Sequence, residues 1–335
     1  MSNHFLPSAR VVLLILICIV GSPGISTADD PSARAVRIDV GGYKLNSILL
    51  DPARNADLPP IVFLHGASTS LYDPIFSFLD KLNGRAKLLF VDRPGHGKSD
   101  VGGSQNILPD GQADAIAVLM EKRDIRKAIV VGHSFGGAIA VALAVRHPEM
   151  VWGLVLMSPA AYPWEGGVAW YYDAATMPVA GSIFSALVAP PFGLMVIDRA
   201  TREVFAPNRR PDDYIEKTNA WQALSPIAFR HNAQEVSALS NWAETASLKY
   251  SSIRTSTVII TGNTDEVVSP EIHAHQLARN IRGARLIVVQ NLGHKSDFVA
   301  ADLAIAAIEK VAGRKVNLTS IANSIERRIA GDGND

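Results

Sequence analysis

Short apolar runs alternate with amphipathic stretches along most of the chain. "AVRIDV" and "YKLNSILLD" read as an antiparallel pair turned at Gly41-Gly42. "PPIVFLHG", "AKLLFVD", "KAIVVGHS", "WGLVLMSP", "STVIITGN" and "ARLIVVQN" follow as runs rich in Val, Ile and Leu. A strand covered on both faces needs apolar side chains on both, so runs without polar alternation predict a parallel sheet between helices. Helical spacing fills the intervals, as in "GQADAIAVLMEKRD", "GGAIAVALAVRHP" and "PEIHAHQLARNI", bounded by Gly, Pro or Asn. The expectation is an α/β fold: a mostly parallel eight-stranded sheet flanked by helices, with the first pair antiparallel at one edge.

One interval breaks the rhythm. Between about residues 160 and 250 no comparable run appears, and aromatic residues collect there, among them Trp164, Trp170, Trp221 and Trp242. This predicts a helical cap, 160–250, inserted after the sixth strand and dividing the core into 36–159 and 251–312. Residues 313–335 read as a tail with a short amphipathic helix that then frays. Asn317-Leu318-Thr319 matches a glycosylation acceptor, a tripeptide too common to weigh.

The other end reads differently. "MSNHFLPSAR", with the single cation Arg10, precedes ten unbroken apolar residues, "VVLLILICIV", and Ser26-Thr27-Ala28 then offers a small-residue cleavage site. That is the layout of a signal peptide over 1–28, and the apolar run is short for a membrane span. The chain is expected to be exported, to the periplasm or outside the cell, with no stable span once cleaved; an uncleaved anchor through 11–20 is the alternative. Cys18, the only cysteine, lies in this segment, so the processed chain would offer no thiol for a disulfide, a nucleophile or a metal. The remaining composition suits one large domain: 48% of residues are hydrophobic, and 32 Lys and Arg balance 32 Asp and Glu. With no basic cluster, nothing argues for nucleic acid.

Candidate chemistry centres on residues 132–136, Gly-His-Ser-Phe-Gly, which stand between the run "KAIVV" and the helical pattern "GGAIAVALAV". A strand before and a helix after distinguish a nucleophile elbow from a chance G-x-S-x-G. Glycine at 132 and 136 would relieve crowding in a strained turn, and Gly137 would let the helix lie close to the sheet. Ser134 would then stand above the sheet at a helix N-terminus, where the dipole favours negative charge.

A serine hydroxyl needs a base at neutral pH, and the base needs an orienting acid. The loop after "VIITG" carries Asp265, and the loop after "LIVVQ" carries His294, giving the order Ser134, Asp265, His294. Glu266 is the nearest rival acid and is expected to be solvated. His273 and His275 are expected on the surface of a helix. Two backbone N–H groups must meet the developing oxyanion: Phe135, after the nucleophile, and Ala67, after the His65-Gly66 that ends the third strand. His65 reads chiefly as a packing and hydrogen-bonding residue.

These segments resemble the α/β-hydrolase superfamily of the capped, single-chain kind. His65-Gly66, "DRPGHGKSD" from Asp92, "GHSFGG" from Gly132, "GNTDEVV" from Gly262 and Gly293-His294 match family positions in order, over about residues 36–312. The resemblance implies a Ser–His–Asp triad, a backbone oxyanion hole, no cofactor and no metal. It also makes "DRPGHGKSD" the turn after strand four, with His96 and Ser99 structural, and makes the aromatic insert the cap over the pocket. A serine nucleophile excludes the aspartate-dependent epoxide hydrolases and dehalogenases. "HGASTS" lacks the further glycines and proline usual in the carbon–carbon bond hydrolases, and it lacks the "HGGG" of another esterase group.

The expected activity is hydrolysis of a carboxylic ester through an acyl-enzyme, on a small-molecule substrate with an apolar or aromatic part. A lactonase, an amidase, a cofactor-free perhydrolase or a carbon–carbon hydrolase would use the same residues. A non-catalytic ligand-binding protein on this fold is the alternative of a different class.

Overall fold

The unbroken apolar runs become strands because each serves two separate cores. A computed structural model describes residues 34–167, 170–178 and 180–333; the expected signal segment lies outside the described residues. One eight-stranded sheet comprises β1 Ala35–Asp39, β2 Lys44–Leu50, β3 Ile61–Leu64, β4 Leu88–Val91, β5 Ala128–His133, β6 Val151–Met157, β7 Ser256–Gly262 and β8 Arg285–Val289. The spatial order is β1-β2-β4-β3-β5-β6-β7-β8, antiparallel only at β1–β2 and β2–β4. The expected fold class is borne out, antiparallel edge included.

Helices α1 Tyr72–Leu82, α2 Pro109–Lys122 and α3 Phe135–Arg146 connect the first parallel strands. Between β6 and β7 come α4 Trp170–Thr176, α5 Ala180–Ile183, α6 Ala189–Phe205, α7 Tyr214–Lys217 and α8 Pro226–Ala246, with no strand among the described residues of this insert. Then follow α9 Ala274–Asn280, α10 Ser296–Val299, α11 Ala301–Val311 and α12 Leu318–Ile329. Val62, Leu64, Val130, Leu154 and Leu156 pack on the face shared with α2, α3 and α9. Their neighbours Ile61, Phe63, Ile129, Val131 and Val155 pack on the face shared with α1, α11 and α12. The two-residue period of a strand sends successive apolar side chains to opposite cores.

The amphipathic helix expected in the tail is α12: Leu318, Ala322, Ile325 and Ile329 form a buried stripe on it, and Asn317 caps it by accepting from the Ser320 N–H at 3.1 Å. The helix forms because the sheet edge covers its apolar face. Trp242 is buried in the core, donating its indole N–H to Asp110 at 2.9 Å, and Trp221 is half exposed.

The β5–α3 corner is crowded as its glycines imply. A Cβ on Gly136 would lie 2.1 Å from the Leu64 carbonyl oxygen, and one on Gly132 would lie 2.4 Å from that of Gly136. Both obstacles are backbone and cannot swing aside. Gly136→Ala is therefore expected to destabilise the fold by about 1–3 kcal/mol or more, as overpacking does. Denaturant unfolding measures this, and an unchanged midpoint would refute it.

Candidate active site

Ser134 joins β5 to α3 with φ 53° and ψ −118°, a conformation side chains rarely adopt. Such strain costs of order 1–3 kcal/mol and persists only where surroundings over-determine it. Here the Ser134 N–H donates to the Met157 carbonyl at 3.0 Å. The Ser134 carbonyl accepts from Gly137 and Ala160 at 2.9 and 3.1 Å. The turn is thus pinned to the end of β6.

Asp265 and His294, from the loops after β7 and β8, meet. His294 Nδ1 donates to Asp265 at 2.9 Å (Oδ2) and 3.1 Å (Oδ1), which puts the proton on Nδ1 and leaves Nε2 as the acceptor nitrogen. Both residues are buried. Burial alone would raise the Asp265 carboxyl, but facing His294 and the N–H of Val268 hold it below its ordinary value. Ser134 and His294 line one cavity of about 500 Å³, together with Gly66, Ala67 and Ser68. Asp265 stands outside its lining, bonded to the imidazole. Phe135 is also outside the lining, but its N–H belongs to the first turn of α3, where helical N–H groups have no intrahelical acceptor.

The 66–69 loop lies against the serine: a Cβ on Gly66 would come 3.3 Å from Ser134 Cβ. His65 braces it, sharing Nδ1 with the Gly66 carbonyl and Thr69 and accepting at Nε2 from the Arg93 N–H. Burial and neighbouring Arg93 hold the His65 imidazole well below its ordinary pKa. From the insert, Asn232 on α8 accepts from the Ser68 N–H at 2.8 Å and donates to the Ser68 hydroxyl at 3.0 Å. One turn on, Glu235 accepts from Arg93 at 3.0 Å, while Arg93 also donates to the Gly66 carbonyl at 3.2 Å and stacks over the Phe135 ring. Asn232, Glu235 and the role of Arg93 were missed in the sequence. Asn232 and Glu235 stand among five polar residues in "FRHNAQEV", and nothing local ties them to residues 68 and 93.

A family profile described as the alpha/beta hydrolase fold matches residues 59–300. The chain belongs to the α/β-hydrolase family. It is 28% identical over 260 residues to 2-hydroxy-6-oxo-6-phenylhexa-2,4-dienoate hydrolase of Comamonas testosteroni, covering 72% of this chain and 83% of that one. It is 35% identical over 102 residues to the dihydrolipoyllysine-residue acetyltransferase component of the acetoin cleaving system of Cupriavidus necator, 30% of this chain. That match spans only 27% of the acetyltransferase's length. In fold it is similar to the enol-lactonase of Burkholderia xenovorans LB400, with a TM-score of 0.66 at 20% identity, over 83% of this chain and 100% of that one.

A second buried charge cluster flanks the site of this α/β-hydrolase. Lys295 donates to Asp73 at 2.7 Å and Asp297 at 3.0 Å, and Tyr214 donates to Asp73 at 2.8 Å. Burial alone would lower the Lys295 ammonium, but Asp297 and Asp73 hold it well above its ordinary pKa. Asp73, His133 and Asp297 place ligand atoms within 4.8 Å of one another, a spacing a metal could use. Lys295 already supplies a cation to both carboxylates. His133 Nε2 donates to the His294 carbonyl at 2.9 Å, tying the cluster to the 293–297 loop. Glu266 is exposed, as expected. His273 is not at the surface: it precedes α9, is buried, and accepts the Tyr162 N–H at 3.0 Å through Nδ1. The loop from β6 folds over that end of the helix and covers it.

Asn232→Ala is expected to leave the Ser68 N–H without its acceptor, so hydrogen exchange at the Ser68 amide should speed up while sheet amides keep their rates. Equal exchange in both proteins would mean that Asn232 does not hold the loop. A pH effect follows from His273 and His96, both lowered to about 4, chiefly by burial. Between their ordinary value of 6.5 and about 4 the unfolded chain binds these protons more readily than the folded one. Their contribution to stability is therefore present above about 6.5 and lost as pH falls toward 4. Tm should drop across that window, and less steeply in His273→Asn; parallel Tm curves would contradict the assignment.

Proposed function

We propose that the chain is a serine hydrolase that cleaves a carboxylic ester through an acyl-enzyme. The observation that carries this is the meeting, at one cavity, of a serine in a strained strand-to-helix turn and an imidazole bonded at Nδ1 to a buried carboxylate. In this reading His294 Nε2 takes the proton from Ser134 as the oxygen attacks the ester carbonyl. Asp265 steadies the imidazolium. The N–H groups of Ala67 and Phe135 receive the oxyanion. His294 then protonates the departing alcohol, and water repeats the sequence to release the acid.

The walls favour an apolar acyl group. Phe184, Phe192, Val196, Ile197 and Phe229 line the cavity that Ser134 also lines. Phenylalanine and tyrosine supply its aromatic surface, and among the described side chains no tryptophan lines it. A second reading has one specific support. The Comamonas relative, covered over 83% of its length, is named as a hydrolase of a phenyl-substituted dienoate, the kind of substrate the carbon–carbon alternative would take. "HGASTS" speaks against carrying that activity over.

Ser134→Ala should lower release of p-nitrophenol from acyl esters by roughly 10⁴–10⁶-fold, the scale of losing a triad serine. Asp265→Asn should lower it by about 10⁴-fold. A variant as active as the parent would sink the triad. Turnover of the phenylhexadienoate in place of esters would move the assignment to the carbon–carbon reading. Absence of both turnover and fluorophosphonate labelling would leave a ligand-binding protein.

A further inference from the structure

The helix that walls the cavity is built inside out for water. From Ala174 to Ile197 there is no charged residue. Residues Ala180–Phe205 form one continuous helix, with a π-helical turn at Phe184–Val188, long and apolar enough to cross a membrane. A core helix would pass the same test, but only 22% of the most apolar stretch of this one is buried. Its inward stripe is Gly181, Ser185, Ala189 and Gly193. These small residues let neighbours close in: a Cβ on Gly193 would sit 2.4 Å from the Leu224 side chain. On the opposite side bulky apolar residues point outward, with Ile183 55%, Leu187 71%, Leu194 58% and Met195 84% exposed, while Phe184, Val196 and Ile197 face the cavity.

A helix facing water carries its bulky apolar residues toward the core. Small residues against protein and bulky aliphatic ones outward is the arrangement of a helix whose other side meets lipid. Two further features fit. Trp221, on the adjoining turn Ala220–Leu224, is half exposed, and an indole suits the boundary between lipid and water. Charges resume at Asp198, Arg199 and Arg202, where the helix leaves the apolar face.

We propose that the outer face of this helix docks on a lipid surface and that the cavity receives acyl esters dissolved in it. The face and the cavity meet at Phe192, which is half exposed and also lines the cavity with Gly193, Val196 and Ile197. A second copy of the chain seated on this face would cover that junction, whereas a fluid lipid layer leaves a path from surface to serine. Sinking by about 5–10 Å, the depth of an interfacial helix, would immerse Leu187, Leu194 and Met195 while the sheet stays in water. The substrate half of this proposal rests on the serine-ester reading; the docking half does not.

The test uses the full chain, so that residues 1–33 are the same in every protein compared. Vesicles of phosphatidylcholine and phosphatidylglycerol are mixed with the parent and with a Leu187→Glu, Leu194→Glu, Met195→Glu variant, none of whose positions lines the cavity. At least tenfold weaker partition of the variant is expected, with unchanged hydrolysis of a short ester in buffer and reduced hydrolysis of a long-chain ester held in vesicles. In a second measurement an environment-sensitive dye sits at Met195→Cys in a Cys18→Ser background, which leaves no other cysteine. Its emission should shift to the blue on vesicles. Unshifted emission would overturn the docking, even if residues 11–20 held the chain to the vesicle. Loss of a dimer in the variant without a blue shift in the labelled protein would assign the face to self-association and also overturn it. A blue shift and weakened partition without turnover of either ester would uphold the docking and reject the ester reading.

Discussion

The close approach of α3 to the end of β3 is the constraint on which the rest of the structure depends. With Gly136 against the Leu64 carbonyl, the chain can leave β5 only through a turn that forces Ser134 to φ 53°. The same approach sets the serine beside the loop that follows β3, where Gly66 lies against it. Packing, strain and the position of one hydroxyl are therefore a single geometric fact. A side chain at Gly136 would push the helix away from the end of β3 and from the loop that follows it.

Two buried charge networks hold what that corner places. Arg93 and Glu235 are fully buried, and they join the turn after β4 to the insert and to the Gly66 carbonyl. Lys295, Asp73 and Asp297 do the corresponding work beside the 293–297 loop. A buried ion pair adds little to stability compared with a well-packed apolar substitute, but removing one partner strands the other charge at a cost of about 3–5 kcal/mol.

The insert answers to different physics. Its helix α8 packs Leu239, Trp242 and Ala243 into the core, and its polar side chains Asn232 and Glu235 bond to residues beside the serine. The helix Ala180–Phe205 packs small residues such as Gly181, Ser185 and Gly193 against its neighbours, and turns Ile183, Leu187, Leu194 and Met195 outward. One helix orders the loop beside the serine; the other closes the cavity and offers its surface.

Much was legible in the sequence because it rests on neighbours in the chain. Two-sided apolar runs specify buried parallel strands wherever they fold. Glycines two places either side of Ser134 specify a crowded corner, and a strand before with a helix after says which corner it is. Asp265 and His294 could be named because loops at the strand ends converge on one edge of such a sheet. The tertiary structure alone decided the rest. Residues 68 and 232, 93 and 235, or 73 and 295 have no spacing that foretells their pairing, because each pair forms only once the sheet has ordered the chain. The burial of His273 and the outward turn of Leu187, Leu194 and Met195 were equally out of reach. An apolar period shows that a helix has a face, but only its neighbours determine which face they cover.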